Sequence, residues 1–253
     1  MNILITYAVE AEFAPWRALN MEKVTIGNVT LHRANIGRAT VDFVITGMGA
    51  ANAERVADAV ISKAYSFCVI SGFAGALKPS VKLGDIVACE RVQNHSSRQT
   101  EICDTDLLTH AAEYGATRIA TLLSTDHVVN TATEKNCLSA FAEAVDMESF
   151  AILHAANKKN VPSAVVRVIS DSFDRDMPAD IDTIVDPRGH VKIASAVRYV
   201  VKHPLLVPAL MRLGRDSKTA AEALAHFLES YITKLSSATN GGPPLALQEV
   251  AAS

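Results

Sequence analysis

The chain predicts an α/β fold in a single domain: a mixed and largely parallel central sheet flanked by helices. Three observations carry that prediction. Apolar runs of strand length recur along the 253 residues, and segments of helical period lie between them. The runs are apolar at nearly every position, the mark of strands covered on both faces. Strand and helix alternate along the chain, as a parallel sheet with crossover helices requires.

Residues 2–7 (NILITY) form the first strand. A second run follows at 41–46 (VDFVIT), a third at 67–71 (FCVIS), a fourth at 118–124 (RIATLLS) and a fifth at 164–170 (AVVRVIS). Residues 50–63 (AANAERVADAVISK) and 147–159 (MESFAILHAANKK) have helical period and almost no breakers. The stretch 24–34 (VTIGNVTLHRA) carries Gly-Asn at its centre and reads as a hairpin. Residues 85–93 also read as a strand, which makes the sheet mixed. Past Asp171 the texture changes: 172–190 is rich in Asp, Pro and Arg and reads as loop. Two or three amphipathic helices are expected over 191–235. The segment 236–253 contains Gly-Gly-Pro-Pro without periodicity and is expected to be a disordered tail. The expected division is therefore one domain over 1–235, with a helical extension at 191–235, and a tail.

Composition excludes several function classes. Hydrophobic residues make up 49% and charged residues 20%, enough apolar material for a core without disulfides or metals. Lys plus Arg number 24 against 27 Asp plus Glu, so the basic excess of a nucleic-acid binder is missing. No run approaches the ~20 apolar residues of a membrane span. Glu10 and Glu12 interrupt the apolar start, and no basic segment precedes it, which argues against a signal peptide. Cys68, Cys89, Cys103 and Cys137 lack metal-site spacing, and Cys68 reads as core filler. A reducing cytoplasm is the expected setting.

In open α/β sheets, ligands bind beyond the carboxyl ends of the strands. The residues there are Glu10 and Glu12, Gly47-Met48-Gly49, Gly72-Phe73-Ala74-Gly75, Asp126-His127, and Ser170-Asp171. Acids and Gly-rich turns converge on one edge. With few Lys or Arg nearby, they suit close contact with a flat ligand better than a phosphate. The G-x-G at 47–49 lacks a third glycine (Asn52 stands there) and a ribose-binding acid ~20 residues on, so a dinucleotide site is disfavoured. Ala74 occupies the nucleophile position of a G-x-S-x-G elbow, which excludes a serine hydrolase of that type. Asp146 and Glu148 flank Met147 at a helix start, where capping and site chemistry are both open readings. Glu10, Glu12 and Asp171 share that ambiguity between first-turn or turn acids and functional ones. His127 alone among the histidines falls at a strand end, whereas His154 reads as packing. No metal-ligand spacing is present.

Four segments, taken together, resemble the nucleoside phosphorylase superfamily. They are ILITYAVEAEF, VITGMGAANAERVADAV, VISGFAGALKPSVKLGDIVAC and VDMESFAILHAANKKNVPSAVVRVISDSFD. Over roughly the first 175 residues the closest resemblance is to the nucleosidases for 5′-methylthioadenosine and S-adenosylhomocysteine. The resemblance implies the nucleoside phosphorylase fold and cleavage of the C1′–N9 bond of a purine nucleoside, with no metal or cofactor. It implies that Asp171 protonates N7 of the leaving base and that Glu12 orients the attacking water. Glu148 would accept from ribose hydroxyls, and Met147 would pack on the sugar face. Gly49, Gly72, Phe73, Ala74, Val128 and Ser170 would complete the substrate surface. The partner implied is a small nucleoside, with homodimerisation usual in that branch.

Departures from the pattern bear on substrate. Phosphorylases of the superfamily resemble one another in a G-D-P-x-R loop and an Arg before the Gly-Ser/Thr turn. Here the first loop is Ala8-Val9-Glu10-Ala11-Glu12, and Val69-Ile70-Ser71 precede Gly72. An acidic loop would repel phosphate, which favours water as nucleophile. Phe73 replaces the usual serine, and Val128 stands where nucleosidases stack an aromatic ring on adenine. The segments at 124–141 and 176–217 look more like the hopanoid-associated phosphorylase branch. There Leu205, Leu206, Val207 and Leu210 could form an apolar groove for a lipid-like substituent, or simply pack on the core. The leading expectation is a hydrolase releasing adenine from a 5′-substituted adenosine. The alternatives are a phosphorylase-family enzyme acting on adenosylhopane and a non-catalytic nucleoside-binding protein.

Overall fold

The computed structural model describes residues 1–177 and 207–238. Among these residues ten strands form one sheet: β1 (Asn2–Tyr7), β2 (Glu22–Ile26), β3 (Val29–Ile36), β4 (Ala39–Ile45), β5 (Phe67–Ala76), β6 (Ile86–Asn94), β7 (Thr100–Ile102), β8 (Thr117–Ser124), β9 (Ala144–Asp146) and β10 (Ser163–Asp171). The helices among the described residues are α1 (Glu10–Phe13), α2 (Ala50–Val60), α3 (Thr105–Glu113), α4 (Ala132–Leu138), α5 (Ser149–Lys158) and α6 (Val207–Ala238). A 3₁₀ turn at Ala14–Ala18 follows α1.

The predicted α/β class holds, and the topology adds a closure. Strands run β2-β3-β4-β1-β5, the last three parallel. Beyond β5 the sheet closes on itself: β5 pairs with both β10 and β9, and β9-β8-β6-β10 completes the ring. The β2–β3 hairpin turns at Gly27-Asn28, as its sequence indicates. Side chains of β1, β4, β5 and β10 are buried almost throughout, in agreement with their doubly apolar pattern. Cys68 is part of that core.

The sequence-based reading stops the third strand at Ser71 and treats 72–75 as a turn. The structure corrects this: β5 continues to Ala76. Its last partner on β1 is Ile70, opposite Thr6, and it meets β9 only at Gly75, opposite Val145. Residues 71–74 therefore have an edge that β1 and β9 leave open, and a cleft forms in that gap.

Where two or three helices are expected over 191–235, the described residues contain α6. Its Leu224, Leu228, Tyr231 and Ile232 are fully buried, and the Tyr231 hydroxyl donates to Leu107 O at 2.9 Å. Burial of each such side chain is worth about 1.5–3 kcal/mol, so this half of α6 belongs to the core. The remaining loop, extension and tail predictions at 178–206 and 239–253 lie outside the described residues. So do Leu205 and Leu206, half of the groove expected with Val207 and Leu210.

At the open edge of β5, Gly72 has φ +137°, a conformation side chains rarely adopt. A Cβ there would lie 2.5 Å from both Arg167 Nη1 and Glu12 Oε1. Gly72→Ala should lower unfolding free energy by about 2 kcal/mol or more. Urea unfolding measures this; a change below about 0.5 kcal/mol would show that the backbone and both charged groups relax freely.

Candidate functional site

The cleft has a volume of about 230 Å³ and sits where β5 parts from β1. The ends of β1, β5, β9 and β10 contribute to it, as do the loop after β8 and Ser217 of α6. Of the ten residues predicted for the site, eight line it: Glu12, Phe73, Ala74, Val128, Met147, Glu148, Ser170 and Asp171. Gly49 and Gly72 do not. They stand behind it, where each holds a carboxylate or leaves room for one.

Glu12 is buried at the third position of α1. Its Oε2 accepts from Ala8 N and Val9 N at 2.7 and 3.0 Å, and its Oε1 from Phe73 N at 2.7 Å. Three of roughly four acceptor positions are thus filled by backbone donors, leaving one toward the cleft. Glu12 therefore satisfies its own helix start and the open edge of β5 at once. Burial raises its pKa, against the pull of Arg167 and these N–H groups. Glu10, by contrast, turns outward and pairs with Arg17.

The two acids around Met147 divide their labour. Asp146 caps: its Oδ2 accepts from Ser149 N at 3.0 Å at the start of α5, and its Oδ1 from Ser124 Oγ at 2.6 Å. Glu148 makes no cap bond and reaches across to Gly49 N at 2.6 Å. Gly49 can present that N–H because it begins α2 with φ +84°. Burial, reinforced by the nearby Asp146 charge and opposed by Arg167, pushes Glu148 up to about 8.

Asp171 ends β10 at a register shift against β5. Its pKa is raised by burial, against an ion pair from its Oδ2 to Lys135 Nζ. His127, at the cleft rim, is clamped at 2.7 Å by both Asp126 and Glu134, and these bonds raise its pKa. His154 is half exposed; it stacks on Phe150 and bonds to Glu101 at 2.7 Å.

Two buried cations escaped the sequence reading. Arg167, on β10, is 1% exposed. Its Nη2 lies 2.5 Å from Asp146 Oδ2 and 2.8 Å from Ser149 Oγ, and its Nη1 donates to Ser71 O at 3.0 Å. A signal existed: one Arg in an otherwise apolar, doubly covered strand must be paired. Lys135, on α4, is wholly buried; nothing in its local sequence marks it. Both cations lie behind the cleft: among the described residues no Lys or Arg lines it. Among these residues, no group of three or more His, Cys, Asp or Glu could hold a metal ion. No helix among them is long and apolar enough to cross a membrane.

A family model for the phosphorylase superfamily matches residues 2–196. The 5′-methylthioadenosine/S-adenosylhomocysteine nucleosidase of Anoxybacillus flavithermus is 27% identical, over 68% of this chain and 85% of that relative. Native futalosine hydrolase of Helicobacter pylori strain 26695 matches with TM-score 0.71 and 18% identity, over 92% of this chain and 98% of that one. The Neisseria meningitidis nucleosidase, in complex with methylthio-immucillin-A, gives TM-score 0.70 and 19% identity, over 92% and 99%. These structures share the fold, and the match over residues 2–196 establishes that the chain belongs to the phosphorylase superfamily.

Proposed function

We propose that the chain is a purine-nucleoside N-ribosyl hydrolase that releases adenine from a 5′-substituted adenosine. The observation that carries this is the gathering of three carboxylates, Glu12, Glu148 and Asp171, on one cleft. Cleaving a ribosyl–purine bond moves the C1′–N9 electron pair onto the base and leaves positive charge on the sugar. Asp171, its pKa raised by burial, gives its proton to N7, so the base departs neutral. Glu148 accepts from the ribose hydroxyls, and Met147 lies along the sugar. Glu12 takes a proton from the water that adds at C1′. Nucleoside plus water thus becomes free sugar plus free base, and the two protons return through solvent. Anionic side chains around the sugar stabilise the developing cation.

Water rather than phosphate is the proposed nucleophile. Arg167 is occupied by Asp146, Ser149 and a backbone carbonyl, and the described cleft wall carries carboxylates where a phosphate dianion would have to sit. Phe73, Ala74, Val128 and Ser170 are assigned to the base and its surroundings. A relative named for methylthioadenosine and S-adenosylhomocysteine supports a 5′-substituted purine nucleoside as the substrate class. The proposal includes a cytoplasmic setting, which the four free cysteines fit, and a homodimer.

Base release from methylthioadenosine, S-adenosylhomocysteine, futalosine and inosine, with and without phosphate, tests the reading. Phosphate-independent release from at least one 5′-substituted nucleoside is expected. Nucleoside binding without any base release would contradict it. Asp171→Asn should lower kcat by roughly 100-fold or more with little change in nucleoside binding; unchanged turnover would remove Asp171 from its role.

Glu148 sets a pH dependence. Its neutral form dominates the empty site below about 8, and ionisation supplies the acceptor that ribose hydroxyls need. The acidic limb of kcat/KM should therefore rise through about pH 8 and vanish in Glu148→Gln. A limb confined to the ordinary carboxylate range in wild type would show that substrate meets an already ionised Glu148.

A further inference from the structure

The Lys135–Asp171 pair plays no part in the reading above, although the inference drawn from it rests on that reading. Lys135 sits in the last turn of α4, and its side chain is wholly excluded from solvent. Its Nζ meets three acceptors: Asp171 Oδ2, Ser172 O at 2.8 Å and Arg175 O at 2.9 Å. An ammonium has three N–H donors and a neutral amine only two, so three acceptors identify the protonated form. An unpaired ammonium in such a place would be costly. Here Asp171 Oδ2 and two carbonyls accept all three N–H bonds.

The geometry also fixes what Asp171 can do. With Oδ2 committed to Lys135, Oδ1 is the oxygen left to meet the substrate. The loop after β10 is tied down by the same group of contacts. Lys135 holds the carbonyls of Ser172 and Arg175, Asp176 Oδ1 accepts from Ala132 N at 2.8 Å, and Met177 N donates to Asn130 O at 2.8 Å. Met177 then forms part of the cleft wall. A single buried ammonium thus joins α4 to both the acid and the loop that follows it.

We propose that Lys135 is the counter-ion and positioning residue for Asp171: it holds Oδ2, turns Oδ1 to the leaving base, and balances the carboxylate formed as the proton passes to N7. In that step the Asp171 O–H bond breaks and the N7–H bond forms. The C1′–N9 pair leaves with the base, and the negative charge on Asp171 appears beside Nζ. The proton is regained from water once the base has gone. The ammonium keeps its three protons and acts only through Asp171. Other charged groups near the pair are Asp174, which feels Lys135 on the same loop, and Glu12, Glu148 and His127 around the cleft, the last held by Asp126 and Glu134.

The test uses the full chain and a 5′-substituted nucleoside that the wild type turns over. Removing a cation beside a buried acid makes it hold its proton more tightly. Lys135→Met should therefore lower kcat roughly 10- to 100-fold, with KM changed less than about threefold. The descending, high-pH limb of kcat should move upward by about one pH unit or more. A fall in kcat without movement of that limb would reduce Lys135 to a structural part and overturn the proposal, as would unchanged kinetics. Should Lys135→Met not fold, the wild type answers by NMR. The carboxyl ¹³C signal of Asp171, assigned through Asp171→Asn, and the ¹⁵Nζ signal of Lys135 should change together with pH. A Lys135 signal indifferent to the Asp171 titration would overturn the pairing. That titration needs no turnover, so failure to release any base would overturn the functional reading separately.

Discussion

The guanidinium of Arg167 is the fixed point around which the cleft is built. It is buried on a strand covered on both faces, where an unpaired charge would cost several kcal/mol. Asp146 supplies its ion pair, Ser149 Oγ a further acceptor and Ser71 O a third. Those partners come from β9, the first residue of α5 and the open edge of β5, so satisfying one side chain ties together three elements. Its field also lowers the cost of holding Glu12 and Glu148 nearby. Gly72 follows from the same requirement, since nothing larger than hydrogen fits between Arg167 and Glu12.

Environment then separates the carboxylates. Asp146 spends both oxygens on Arg167, Ser124 and the start of α5 and is structural. Glu12 is anchored by three backbone donors, as an oriented acceptor should be. Glu148, held by one N–H and crowded by Asp146, is pushed up to about 8. Asp171 stands apart, because its cation is Lys135 on α4. Two cations therefore divide the cleft: one organises the groups assigned to sugar and water, the other the group assigned to the departing base. Burial raises the pKa of all three site carboxylates, and the cation beside each opposes that rise.

Local pattern made much of the fold legible. The run NILITY matches β1 residue for residue, and the Gly-Asn turn marks the β2–β3 hairpin. Short or polar elements were not legible: β7 and β9 have three residues each, and α4 has seven with only Leu138 and Lys135 buried. β5 was cut short because Gly72 and Gly75 read as a turn; the strand survives because β10 pairs with it as far as Gly75. The family resemblance and the strand-end rule brought eight residues to the cleft wall. They missed Arg167 and Lys135, whose roles depend on partners distant in sequence. Lys135 and Asp171 are brought together only by tertiary packing, and no local spacing encodes that.

The central claim is that Arg167 and Asp146 form the pair on which the site is built, and a double-mutant cycle tests it most directly. Urea unfolding at pH 7 would be measured for wild type, Arg167→Met, Asp146→Asn and the double variant. Each single change should cost about 3–5 kcal/mol, because it strands a buried charge. The double variant should cost less than the sum by at least about 2 kcal/mol. Losses that add to within about 0.5 kcal/mol would mean that the two groups are stabilised independently, and would contradict the account.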